Sequence, residues 1–282
     1  MKHLEGIFNN SQHLNIYYQG WLPDGEPRAV LVLVHGLAEH SGRYGNVAGY
    51  FVSRGYAIYG LDHQGHGRSP GLRCYVDSFS RYSDDLAAFL EIVRRRHPAK
   101  SFFLLGHSIG ATISTDCLCR RSQDVKGFIS SAISLKIGKG ISPFHVAIAR
   151  LLSRIIPKLP VSNLSSATIS SDPKVVKAYD DDPLIYRGKI RARSGAELIK
   201  AMQLLAGELR KLEVPLLVLH GEADRMVDPE SSRLLYESAG SKDKTLKMYS
   251  GFYHEIMNEP GRKQVLKDIE DWLEVRLMGS ST

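Results

Sequence analysis

The chain has 282 residues, 43% of them hydrophobic and 24% charged, with a formal net charge of +7. That length and apolar content suffice for a full buried core and exclude a disordered or fibrous chain. The longest apolar runs, such as Ala29–Val34, fall far short of the roughly 20 residues that cross a bilayer, so no transmembrane helix is expected.

The charge excess is local. Residues 134–205 hold twelve Lys or Arg against five Asp or Glu, and the remainder is balanced. Such a segment reads either as a solvated helical face or as a surface drawn to anionic lipid. No RRM, KH or helix-turn-helix signature accompanies it, so nucleic acid is not an expected partner. The opening MKHLEGIFNNSQ lacks the apolar core of a secretory signal, which favours a cytoplasmic protein, with peripheral membrane contact through the basic segment. Cys74, Cys117 and Cys119 form neither a disulfide framework nor a CxxC motif and read as buried small hydrophobes.

In chain order, short apolar runs at 13–21, Ala29–Val34, Tyr56–Leu61, 101–105, 125–131, 215–220 and Lys244–Tyr249 predict strands. Helical patterns at 43–54, 83–96, 109–121 and 259–277 separate most of them. Strands alternating with helices predict a mostly parallel sheet covered on both faces, with ligands outside the carboxyl ends of the strands. The alternation stops after Ser134 and resumes at Val214. Between them, Ser142-Pro143 opens a helix that carries Phe144, Ala147, Ile148, Leu151, Leu152, Ile155 and Ile156 at helical spacing and ends at Pro157. Asp172-Pro173 starts a second helix, and Ser194 with Glu197 predicts a capping box for a third. The chain therefore divides into a core at 1–133, a helical insertion at 134–205, and the rest of the core at 206–282.

Three strand ends carry chemistry. The run at 101–105 leads into Gly106-His107-Ser108-Ile109-Gly110, and a helix follows at once. Glycines two before and two after let a serine stand on a tight strand-to-helix turn, its hydroxyl beside the positive end of a helix. A hydroxyl needs a general base and a carboxylate to orient that base. Asp224 follows the strand at 215–220 and His254 follows the last strand, on Ser108's side of the sheet and in the order nucleophile, acid, base. Asp228, four residues further along, is the competing acid. His107 and His220 read as structural. His63 and His66 have a spacing that suggests metal, but no third ligand or matched carboxylate accompanies them.

HGLAEHSGRY, LDHQGHGRSPG, GHSIG, DPLIYRGKIRAR, HGEADRMVDP and YHEI together resemble the monoacylglycerol lipase and lysophospholipase branch of the α/β-hydrolases over nearly the whole chain. The resemblance implies an α/β-hydrolase fold with an inserted helical cap over an acyl pocket. It also implies the nucleophile at Ser108, the acid at Asp224, the base at His254 and oxyanion-hole amides at Leu37 and Ile109. Ile109 and Ala111 stand where relatives commonly carry Met and a second Gly. Glu39 and Arg43 are candidates for binding a glycerol or phosphate headgroup, or for pairing with each other on the surface. The expected activity is hydrolysis of a single-chain lipid ester, monoacylglycerol first, with no metal or organic cofactor. A lysophospholipase or a short-chain carboxylesterase is the nearest alternative, and a non-catalytic binding protein on the same scaffold the most distant.

Overall fold

Residues 1–121, 124–136, 143–163 and 165–278 are described by a computed structural model of the chain, 143–145 as backbone alone. One sheet organises the core. Its strands are β1 (Lys2–Asn9), β2 (Asn15–Leu22), β3 (Ala29–Val34), β4 (Tyr56–Leu61), β5 (Ser101–His107), β6 (Gly127–Ser131), β9 (Leu216–Gly221) and β10 (Lys244–Tyr249), in the spatial order β1-β2-β4-β3-β5-β6-β9-β10. β1 and β2 are antiparallel additions at one edge, and every pairing from β4 to β10 is parallel. Every residue of β3, β4, β6 and β9 is buried, as expected of strands covered on both faces.

Side-chain alternation divides the core into two layers. Val30, Val32 and Val34 face α2 (Ser80–Arg96) and α3 (Ile109–Arg120), whose Phe89, Leu90 and Ile113 are fully buried. Leu31 and Leu33 face the other way, against Phe51 of α1 (Gly45–Val52) and Ile269 and Trp272 of α8 (Arg262–Met278). A fully buried aliphatic or aromatic side chain contributes about 1.5–3 kcal/mol, so these two layers hold the sheet rigid beneath the loops at its carboxyl edge.

Between β6 and β9 lie α4 (Pro143–Ile155), a small ribbon of β7 (Pro160–Ser162) and β8 (Ile190–Arg191), α5 (Pro173–Asp181) and α6 (Ala192–Glu208). α7 (Glu230–Ser238) connects β9 to β10. The expected cap of α5 is present: Asp172 accepts from the Lys174 N–H at 2.9 Å. The expected capping box is not. α6 begins two residues before Ser194, whose hydroxyl accepts instead from the Val76 N–H at 3.0 Å, while Glu197 accepts from the Phe79 N–H at 3.3 Å. Both side chains thus pin the insertion to the loop that enters α2. The proposed N-cap at Ser142 lies outside the described residues, as does the side chain of Phe144. Cys74 and Cys117 are buried as expected, and Cys119 is only partly so.

Candidate active site

Ser108 joins β5 directly to α3 with φ 53° and ψ −123°. The flanking glycines are required by contact as much as by conformation. A Cβ on Gly110 would stand 2.1 Å from the Val34 carbonyl oxygen, and one on Gly106 would stand 2.7 Å from the Ala111 Cα. The Ser108 N–H donates to the Ser131 carbonyl at 2.8 Å, which holds the turn against β6.

Two further loops converge on this turn. The Ala223 N–H donates to the Phe252 carbonyl and the Glu222 N–H to the Tyr249 carbonyl, each at 2.9 Å. These bonds stitch the loop after β9 to the loop after β10. Asp224 and His254 are thereby brought together, with His254 Nδ1 donating to Asp224 Oδ2 at 2.7 Å. The other carboxylate oxygen accepts from the Met226 and Val227 N–H groups at 2.7 and 3.0 Å. Asp228, the competing acid, instead accepts from the Glu230 N–H at 3.1 Å, where the chain enters α7.

The electrostatics favour an ion pair in waiting. Burial opposes ionisation of Asp224, yet hydrogen bonds from His220 and His254 hold its carboxyl well below the usual range. Burial likewise disfavours a charged His254, but the Asp224 bond and charge, with Glu255 and Glu39 behind, raise the imidazole above its ordinary value. His107 packs against it with ring centroids 4.7 Å apart, and burial pushes His107 down to about 4, so it stays neutral.

Ser108 and His254 line the same cavity, of about 730 Å³. Among the described residues no hydrogen bond joins the hydroxyl to the imidazole; such contacts are often long in unliganded sites and tighten around substrate. Gly36, Leu37 and Ile109 line the cavity beside them. The N–H groups of Leu37 and Ile109 donate to no other described residue, and that of Ile109 lies at the positive end of α3. The segment between β6 and β9 supplies much of the remaining lining, mostly apolar, with Ile148, Leu152, Ile169, Ile199 and Met202 among its residues and Lys136, Ser162 and Ser165 as polar members.

Glu39 and Arg43 pair with each other at 2.7 Å, as one of their two expectations had it, but Glu39 is buried and Arg43 partly so, rather than both lying on the surface. Arg43 also grips Glu255 at 2.6 and 2.8 Å. Two more ties run from the turn after β3 to the insertion: His40 Nε2 meets Asp182 Oδ2 at 2.8 Å, and the Tyr186 N–H donates to the Ala38 carbonyl at 2.9 Å. Sequence reasoning missed the role of His220, whose Nε2 donates to Asp224 Oδ2 at 2.9 Å while Nδ1 meets Ser232 Oγ at 2.7 Å. The spacing of four between His220 and Asp224 was the available signal. Glu255 gave none, because its partner Arg43 is 212 residues away.

A family model described as serine aminopeptidase, S33, matches residues 25–261. The chain is 40% identical over 260 residues to the monoacylglycerol lipase of Mycolicibacterium smegmatis, covering 92% of this chain and 93% of that protein. It is 33% identical over 271 residues to the monoglyceride lipase of Rattus norvegicus, covering 95% of this chain and 89% of that protein. The crystal structure of the Paleococcus ferrophilus monoacylglycerol lipase superposes with a TM-score of 0.83 at 33% identity, over 93% of this chain and 99% of that one.

Proposed function

We propose a substrate and a mechanism for this chain, which belongs to the serine aminopeptidase S33 family of α/β-hydrolases and, within it, to the monoacylglycerol lipase type of serine ester hydrolase. The substrate is a single-chain lipid ester, monoacylglycerol foremost, cleaved to glycerol and a free fatty acid. The observation that carries the mechanism is the 2.7 Å bond from His254 to Asp224 on the wall of the cavity that Ser108 lines.

With Nδ1 donating to Asp224, the neutral imidazole presents an unprotonated Nε2, the tautomer a general base needs. His254 takes the Ser108 proton as the hydroxyl attacks the acyl carbonyl. The Leu37 and Ile109 amides receive the oxyanion, and the imidazolium then protonates the departing glycerol oxygen. Water, deprotonated by the same ring, releases the fatty acid from Ser108. The cavity volume and its mostly apolar lining suit one acyl chain.

Residues 134–205 act as a cap that both closes the acyl pocket and meets the lipid surface. Leu151, Ile155 and Ile156 of the α4 region are 57%, 66% and 49% exposed, while Ile148 and Leu152 beside them line the cavity. Arg150 and Arg154 interleave with them, as in helices that lie on anionic membranes. Rates on monoacylglycerol, lysophosphatidylcholine and p-nitrophenyl butyrate test the substrate. The highest kcat/KM is expected on monoacylglycerol; a preference for either other ester removes that assignment.

A further inference from the structure

Three charges, two of them buried and the third partly so, stand beside the proposed machinery without entering it. Glu39 and Glu255 are 4% and 6% exposed, and Arg43 bridges them: Nη1 donates to Glu39 Oε2 and to Glu255 Oε1, Nη2 to Glu255 Oε2. Buried ion clusters return little net stability, because desolvation offsets their attraction. Stability alone is therefore a weak reason to cluster three charges here.

Their remaining bonds point at the site. Glu39 Oε1 accepts from the Gly36 N–H at 2.6 Å and from the Tyr44 hydroxyl at 2.9 Å, which fixes the peptide just ahead of the Leu37 amide. Glu255 directly follows His254. Its N–H donates to the Ile169 carbonyl at 2.7 Å and its Oε2 accepts from Asn258 Nδ2 at 2.8 Å, so both its backbone and its side chain are held. The Tyr179 ring lies 4.7 Å from the Arg43 guanidinium carbon. A planar fork can satisfy two carboxylates at once, which a lysine ammonium does less well.

We propose that Glu39, Arg43 and Glu255 are positioning residues, a charged brace that holds the Leu37 amide and the His254 ring in fixed relation across Ser108. This rests on His254 as base and Leu37 as oxyanion donor. The groups that act on His254 are Asp224 from the loop after β9, Glu255 beside it, Glu39 from the turn after β3 and His107 from the end of β5, with Arg43 standing between the two glutamates. His220 acts on it only through Asp224.

The brace has a signature that a purely structural cluster lacks. After Asp224, the carboxylates of Glu255 and Glu39 favour the charged imidazole. Glu255→Gln keeps an oxygen for Arg43 but deletes the charge, so the acid limb of kcat/KM against pH moves to lower pH, and kcat falls while KM for a soluble ester holds. Arg43→Lys keeps the charge and loses the fork. Its kcat is expected to drop by up to about 10²-fold, the scale of a 1 Å misplacement, with the KM unchanged.

The experiment measures both profiles alongside melting temperature and fluorophosphonate labelling of Ser108. A downward shift of the acid limb in Glu255→Gln supports the brace. An unmoved limb, in a variant that folds and labels normally, overturns it while leaving the triad assignment standing. If Glu255→Gln does not fold, Arg43→Lys decides: wild-type kcat in that variant overturns the proposal. Failure of the wild-type protein to label at Ser108 overturns the mechanism and the brace together, and so is told apart from failure of the brace alone.

Discussion

At Ser108 a non-glycine residue holds a positive φ of 53°, which costs about 1–3 kcal/mol and persists only where the surroundings over-determine it. Here the surroundings are the Ser131 carbonyl, the close crossing at Gly110 and the start of α3. The same logic of opposed forces applies to His254, where burial disfavours the charged ring but the Asp224 bond and charge prevail. As the proposed base, His254 must be neutral to act, so activity is expected to be lost as pH falls through its raised pKa. The acid limb of kcat/KM is accordingly expected to be centred above about 6.5, histidine's ordinary value; a midpoint of 6 or lower, measured on a soluble ester, contradicts this. Ser108, Asp224 and His254 could be nominated from the sequence because Ser108 directly follows β5 and the other two stand in the loops after β9 and β10. His220 and Glu255 were not nominated, since what each does depends on a contact that only the folded loops create.

Among the elements, the strands Ala29–Val34 and Tyr56–Leu61 have the bounds their apolar runs predict, because residues in a parallel sheet covered on both faces need no polar alternation; the edge strand Lys244–Tyr249 also has its predicted bounds, though most of its residues are only partly buried. β1 went unread: it is an edge strand in which exposed residues dominate and only Phe8 is buried. α7 was also missed, a nine-residue helix with three serines in the loop region after Asp224. The misread capping box has a plain cause, for a Ser and a Glu at the right spacing serve equally well as acceptors for another segment's N–H groups. α4 was read correctly, and its apolar stripe proves wider than the cavity wall needs, leaving Leu151 and Ile155 exposed. Burying a large aliphatic side chain contributes about 1.5–3 kcal/mol. Leu151→Asp with Ile155→Asp should therefore reduce kcat/KM on monoacylglycerol in anionic vesicles by at least about tenfold, equivalent to ~1.4 kcal/mol. Hydrolysis of p-nitrophenyl butyrate should hold, and equal losses on both substrates contradict a membrane role for the helix.

Across the whole molecule, the parallel strands carry Leu37, Ser108, Asp224 and His254 to one edge of the sheet, and the basic insertion stands over that same edge. Exposed Leu151 and Ile155 lie on the same helix as Ile148 and Leu152, which line the cavity that Ser108 lines. Among the described residues no helix is long and apolar enough to cross a membrane. In the proposed mechanism the Ser108 hydroxyl is activated by the His254 imidazole, which comes from the far end of the chain. Intact-mass analysis after treatment with a fluorophosphonate, followed by peptide mapping, tests that most directly. One adduct per chain, on the peptide containing Ser108, absent in Ser108→Ala and formed far more slowly in His254→Ala, is the predicted result. An adduct elsewhere, or undiminished ester hydrolysis by a folded Ser108→Ala protein, would contradict it.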